Sequence, residues 1–419
     1  MTRKSLACTV SAAALSLGAA SAAMAATLTL NGGGATLPQP TYQNEFNTFS
    51  QATPTVLFSY DGVGSGAGQT AFLNNDITQF DSPSNQYGTI VGTTVDFGAS
   101  DAFLNSTQVN STGGYALSST DGSLIQIPMI GVAVTIPYVN SGLTKVLVLN
   151  DSQICGVLSG KLTNWNQISK GATPGTIEVV YRSDGSGTTF LTTQHLNAVC
   201  TAANSSFPVL PVPVTKTFAS LFTGGVPPSN FTGESGSAAV AAQLLATPLS
   251  FGYLSPDYTS IAPKSSNTTS LKVASVTNGI NNVTYNPTVG NIAAGLTHPG
   301  PGSTFATPPS TQATAADPLD WIPSVPQTNS GYSIVGYTTW DLSTCYQTPA
   351  AGKELVLFLD DHFKTKAYQT LIENNGFTPL SNTAAAPYVT AISDDFLSNK
   401  SGYNLNIGNA TACAGLAGR

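Results

Sequence analysis

A strand-like run at residues 177–181 passes directly into Arg182-Ser183-Asp184-Gly185-Ser186-Gly187-Thr188-Thr189, after which Phe190, Leu191, His195, Leu196 and Val199 recur near helical spacing. Strand, glycine-rich loop and helix in that order form the connection of an α/β layer, and they put small residues at a helix N-terminus. Free amides and the positive end of the helix dipole make such a turn a ready anion site. Arg182 adds a planar fork that can grip two oxygens at once. Two more clusters have the same form: Asn31-Gly32-Gly33-Gly34-Ala35-Thr36-Leu37-Pro38 and Gly62-Val63-Gly64-Ser65-Gly66. Each taken singly reads as an ordinary turn. Three together, one carrying an arginine, read as a site.

Asp101, in Gly98-Ala99-Ser100-Asp101-Ala102, narrows the choice of anion. A carboxylate repels a fully ionised oxyanion at hydrogen-bonding distance. It suits an anion that still carries a proton, such as phosphate, and disfavours sulfate. By itself an aspartate after a strand is a turn or cap residue.

The rest of the chain sets the frame. At 419 residues it has room for two or three domains. Arg3 and Lys4, an apolar run over 6–20 and Ala23-Met24-Ala25 form the pattern of a secretory signal over residues 1–25. Lipid attachment at Ser5-Leu6-Ala7-Cys8 is the weaker reading, because the apolar segment follows that cysteine instead of preceding it. No later stretch approaches the roughly 18 apolar residues of a membrane span. Charged residues are 8% of the chain and the formal net charge is −7, which loss of Arg3 and Lys4 makes two units more negative. That balance argues against nucleic acid as a partner and against long-range steering of an anion. A periplasmic or secreted product is expected.

Strand patterns fall at 56–60, 95–98, 125–139, 251–254 and 332–340, and helix patterns at 71–74, 238–246 and 354–373. Residues 265–330 are rich in Pro, Thr, Asn and Gly, and read as surface loops.

Taken in order, Gly34-Ala35-Thr36-Leu37-Pro38, Gly64-Ser65, Asp96-Phe97-Gly98-Ala99-Ser100-Asp101-Ala102, Gly160-Lys161-Leu162-Thr163-Asn164-Trp165, Arg182 to Thr188 and Phe251-Gly252-Tyr253 closely resemble the phosphate-binding proteins of bacterial phosphate ABC transporters. The start, Asn31 to Pro38, looks like the secreted DING branch, although Thr29-Leu30 stands where the Asp-Ile that names it would be. The resemblance implies an α/β, two-lobed periplasmic-binding-protein fold of type II, hinged on two crossing strands near Ile130 and Ile334. The first lobe is then discontinuous, 26–130 and 332–419, and the second is 131–331. Implied phosphate ligands are Thr36, Leu37 through its amide, Ser65, Asp101, Arg182, Ser186, Gly187 and Thr188, with Asp184 orienting Arg182. No catalytic residue, metal or cofactor is implied. A monomer is expected, with inorganic phosphate as ligand and a transporter permease as a further partner.

Four cysteines remain after the signal: Cys155, Cys200, Cys345 and Cys413. An even number in an oxidising compartment reads as two disulfides, with three connectivities open. The sequential pairing, Cys155 to Cys200 and Cys345 to Cys413, keeps each bridge inside one proposed lobe segment.

Rival readings are weaker. Gly62-Val63-Gly64-Ser65-Gly66-Ala67 fits a dinucleotide fingerprint, but no acidic residue with a convincing role follows at the expected distance. The loop after Arg182 lacks the lysine of a nucleotide P-loop. A secreted phosphatase using the same pocket is the main alternative; His195, His298 and His362 are scattered, and no G-x-S-x-G elbow occurs. A matrix protein that kept the fold is the third class.

Overall fold

In chain order the strands are Leu28–Gly34 (β1), Val56–Asp61 (β2), Phe97–Ser100 (β3), Leu124–Ala133 (β4), Pro137–Tyr138 (β5), Val148–Asn150 (β6) and Glu178–Arg182 (β7). They continue with Phe231–Glu234 (β8), Ser250–Gly252 (β9), Lys272–Val273 (β10), Ser275–Thr277 (β11), Thr284–Tyr285 (β12), Val335–Ser343 (β13) and Thr378–Pro379 (β14). The structure is a computed structural model that describes residues 27–80, 90, 92–110, 115–260, 271–304 and 307–419. The signal expected over 1–25 lies outside the described residues.

Two sheets define two lobes. The first has the order β14-β4-β13-β3-β1-β2 and the second β10-β5-β9-β7-β8, with a small third sheet β12-β11-β6 beside it. β1 runs parallel to both β2 and β3. Helices Gln39–Ala52 and Ser65–Asn74 follow β1 and β2, so the turns at the ends of parallel strands lie at one edge of the sheet, where open α/β sheets bind ligands. The same order recurs in the second lobe, where β7 and β8 are parallel and lead into helices Gly187–Val199 and Ser237–Ala246.

Aromatic side chains fill the first lobe. Phe46 stacks on Phe58 at 4.7 Å and Phe97 on Trp340 at 4.4 Å, with Phe358 against both groups. Such pairs add about 0.5–1.5 kcal/mol each beyond the area they bury. Arg419 is buried in the same lobe. Its guanidinium donates to the Val95 and Phe72 carbonyls at 2.7 and 2.8 Å, pairs with Asp121 at 3.3 Å and lies 3.9 Å over the Phe72 ring.

The lobes are joined by two segments that run side by side. Past Ala133 the chain passes through Val134, whose N–H donates to the Ile334 carbonyl at 2.9 Å, and the Tyr332 hydroxyl donates to the Val134 carbonyl at 3.0 Å. Ile130 itself still pairs within the first sheet, opposite Pro379. The first crossing therefore lies a few residues later than expected.

The surface-loop reading of 265–330, and with it the assignment of 131–331 to one lobe, needs correction. Helix Val289–Thr297 buries Ile292 and Leu296, and Leu296 lies against Gly131 of β4. Trp321 is buried between Tyr388 and Phe396 of the first lobe, at 6.1 and 4.7 Å. This stretch folds back onto the first sheet. Its few large apolar residues are scattered among polar ones, so average composition conceals them.

The helix expected over 354–373 is two helices, Pro349–Lys364 and Lys366–Asn374, broken at an extended Thr365. A straight helix of that length would span about 30 Å; the break turns Tyr368 and Ile372 into the core. His362 is buried, and its Nδ1 lies 2.9 Å from Glu45 Oε1.

Both disulfides are formed, Cys155–Cys200 and Cys345–Cys413. The first ties helix Asp151–Leu158 to the end of the Gly187–Val199 helix. The loops they close, 45 and 68 residues, correspond to about 4 kcal/mol each by chain entropy.

Candidate functional site

The turn that leaves β1 depends on Gly34, which adopts φ +129, where a side chain is strained and a Cβ would meet the Ala99 carbonyl at 2.1 Å. The Gly34 carbonyl accepts from the Gly64 N–H at 2.7 Å, and the Ala35 carbonyl from the Tyr60 hydroxyl at 2.6 Å. These bonds fix Thr36 and Leu37 just before helix Gln39–Ala52. Ser65 is buried as the first residue of its helix, and its hydroxyl accepts from the Asp101 N–H at 3.1 Å.

Across the lobes, β7 ends at Arg182, which is almost wholly buried. Asp184 holds it from one side, accepting from Nε at 2.6 Å and from Nη2 at 2.5 Å. Burial pushes the Asp184 carboxyl up, but the Arg182 hydrogen bonds and charge outweigh it and hold it below its ordinary value. Ser186 caps the next helix, its hydroxyl accepting from the Thr189 N–H at 3.1 Å. The first-turn amides of Gly187 and Thr188 have no intrahelical acceptor.

The expected site residues meet at one place. A Cβ on Gly187 would lie 2.4 Å from Ser65 Oγ and 2.5 Å from Asp101 Oδ2, the Gly66 N–H donates to the Gly185 carbonyl at 2.7 Å, and the Ser255 hydroxyl donates to the Leu37 carbonyl at 3.2 Å. Phe103 meets Phe190 edge to face at 5.6 Å. The two lobes are closed on each other.

Sequence reasoning missed one member. Ser237 opens helix Ser237–Ala246 after Gly236 at φ +80; its hydroxyl accepts from Arg182 Nη1 at 3.1 Å and lies 2.8 Å from Thr36 Oγ1. The signal was present as Gly233-Glu234-Ser235-Gly236-Ser237, a fourth small-residue cluster between a strand and a helix. Four helix N-termini thus face one point, and Asp184 and Ser237 engage three of the guanidinium N–H groups of Arg182.

Two polar atoms there, Asp101 Oδ1 and Thr188 Oγ1, are buried without a hydrogen-bond partner among the described residues. Burial pushes the Asp101 carboxyl up to about 7, with the Arg182 charge pulling against it. Beside an arginine and helix N-termini, this is an acid that can accept a proton or a hydrogen bond near neutrality.

A family model described as a PBP superfamily domain matches residues 19–357. The chain belongs to the PBP superfamily. Within the superfamily it is 34% identical to alkaline phosphatase L of Pseudomonas aeruginosa over 404 residues, 96% of each chain. It is 33% identical to a phosphate-binding protein of an unknown prokaryotic organism, over 92% of this chain and 98% of that one. Among solved structures it resembles the high affinity periplasmic phosphate-binding protein PfluDING bound with phosphate, with a TM-score of 0.76 and 32% identity over 94% of this chain and 99% of that one. A DING protein crystal structure gives a TM-score of 0.74 and 31% identity, over 93% and 99%. The fold is that of the two-lobed, phosphate-binding PBP proteins of the DING branch.

Proposed function

We propose that this PBP protein binds inorganic phosphate between its lobes, for delivery to the permease of an ABC transporter or for scavenging outside the membrane. The observation that carries the reading is the buried, unpartnered Asp101 Oδ1 in a site otherwise built for an anion. A carboxylate there repels an anion without a proton and accepts from one that has a proton to give. The reading assigns Thr36, Leu37, Ser65, Arg182, Ser186, Gly187 and Thr188 as the donors. Asp184 orients the Arg182 fork, and Ser237 sets the direction of the Thr36 hydroxyl. Ser237 accepts from Arg182, which can only donate; donation from Ser237 to Thr36 then leaves the Thr36 proton for an anion oxygen.

The likeness to phosphate-binding proteins over nearly the whole chain supports this reading. A phosphatase reading finds no histidine among the site residues: His195 pairs with Asp151 and His362 with Glu45. The test is calorimetry on protein freed of co-purified phosphate by unfolding and refolding. Phosphate is expected to bind tightly, sulfate weakly, and a phosphomonoester to be neither bound comparably nor turned over. No heat with phosphate, or steady release of phosphate from the ester, contradicts the reading.

A further inference from the structure

Lys216 belongs to the second lobe and is tied to the Gly187 turn through its backbone, since its carbonyl accepts from the Ser186 N–H at 2.9 Å. Its side chain crosses to the first lobe, where the ammonium donates to Gln69 Oε1. Gln69 lies one turn beyond Ser65 on the Ser65–Asn74 helix. Its Nε2 donates to the Ser100 hydroxyl at 3.1 Å and to the Ala102 carbonyl at 2.5 Å. Those two residues flank Asp101.

The cation is half-buried. Burial lowers its pKa and the field of Asp341 opposes that shift. Asp341 stands on β13 opposite Gly98 of β3, and both its carboxylate oxygens are buried without a hydrogen-bond partner among the described residues. Taking an ammonium partly out of water is unfavourable unless it is paired. Its direct partner and the nearby negative charge both belong to the other lobe. Gln69 Oε1 also accepts from Gln108 Nε2 within the first lobe, at 3.3 Å; in a separated state Lys216 would be solvated and that longer bond alone would hold Oε1. In the closed state the ammonium, a donor only, requires Oε1 to face it, which directs Nε2 to Ser100 and Ala102.

We propose that Lys216 and Gln69 form an inter-lobe latch, a pair of positioning residues that links closure of the second lobe to the placement of the Asp101 turn. It rests on the reading of the cleft as a phosphate site. Neither residue touches the anion; the latch acts on how long the closed state lasts and how Asp101 is held within it.

The test is stopped-flow and equilibrium phosphate binding on the full-length protein. Lys216→Met removes the charge and keeps the stem, and is expected to weaken phosphate binding about five- to twentyfold, almost all of it as faster dissociation. Lys216→Arg is expected to restore most of the loss. Lys216→Met combined with Gln69→Leu should be no weaker than Gln69→Leu alone, because the cation then has no partner to lose. A merely structural lysine would lower the thermal midpoint of the phosphate-free protein; the latch leaves it unchanged. Wild-type dissociation rates in Lys216→Met, or strictly additive effects in the double variant, overturn the latch while leaving the phosphate reading intact. A wild-type protein that binds no phosphate overturns both.

Discussion

Gly187 faces Asp101 so closely that a single added carbon would lie 2.5 Å from the Asp101 carboxylate. One residue starts a helix of the second lobe and the other ends a strand turn of the first, so their approach measures closure. Gly187→Ala is expected to hold the lobes apart, weakening phosphate binding by about tenfold or more, since overpacking costs about 1–3 kcal/mol. The open second lobe has no such clash, so the thermal midpoint without phosphate should not move. Small-angle scattering should show a larger radius of gyration for phosphate-loaded Gly187→Ala than for loaded wild type.

Arg182→Lys separates affinity from selectivity. The planar fork is lost while the charge stays, and each charge-assisted bond contributes about 1.5–3 kcal/mol. Phosphate and sulfate should both weaken, about tenfold to a hundredfold, with their ratio little altered. Titration of both anions against the variant checks this.

Arg419 predicts a stability effect without a binding effect. Removing its guanidinium leaves Asp121 without its ion pair, takes the Arg419 donor from the Val95 carbonyl and leaves the Phe72 carbonyl only the Asn75 N–H, inside the first lobe. Arg419→Ala should cost about 3–5 kcal/mol, read as a lower urea midpoint at constant slope. Phosphate affinity at low urea should be unchanged.

How much of this was legible in the sequence depended on whether a signal was local. Strand-to-helix turns are local, so Thr36, Ser65, Arg182 and Gly187 could be read from short strings of small residues. Ser237 sits in a turn of the same kind, but its string holds only two glycines and an acid, Glu234, where the Arg182 string has a cation. Trp321 and Leu296 could not be placed, because what they pack on, Phe396 and Gly131 of β4, lies far away in the chain. The Glu45–His362 pair is likewise a long-range contact. From sequence alone, His362 had only Asp360 and Asp361 for company.

Asp96, Asp101 and Asp341 are each pushed up to about 7, burial being the leading cause. A carboxyl whose pKa is higher in the folded than in the unfolded state binds its proton more tightly when folded. Its contribution is fully present below the ordinary value of 3.8 and is lost as the pH rises through about 7. Asp96 and Asp341 lie on first-lobe segments, beside Asn31 of β1 and Gly98 of β3, contacts that do not depend on closure, so the phosphate-free protein should lose thermal stability steadily between about pH 5 and about pH 8. Thermal midpoints that rise over that range contradict the assignment of buried, protonatable carboxyls in the first lobe.

The most direct test compares phosphate and sulfate binding by calorimetry in wild type and Asp101→Asn, both stripped of ligand by unfolding and refolding. Asparagine keeps the shape but removes the charge that repels an unprotonated anion. The account predicts that wild type strongly prefers phosphate, and that the phosphate-to-sulfate affinity ratio falls about tenfold or more in the variant. An unchanged ratio, with a lower thermal midpoint, would make Asp101 a structural cap and contradict proton recognition.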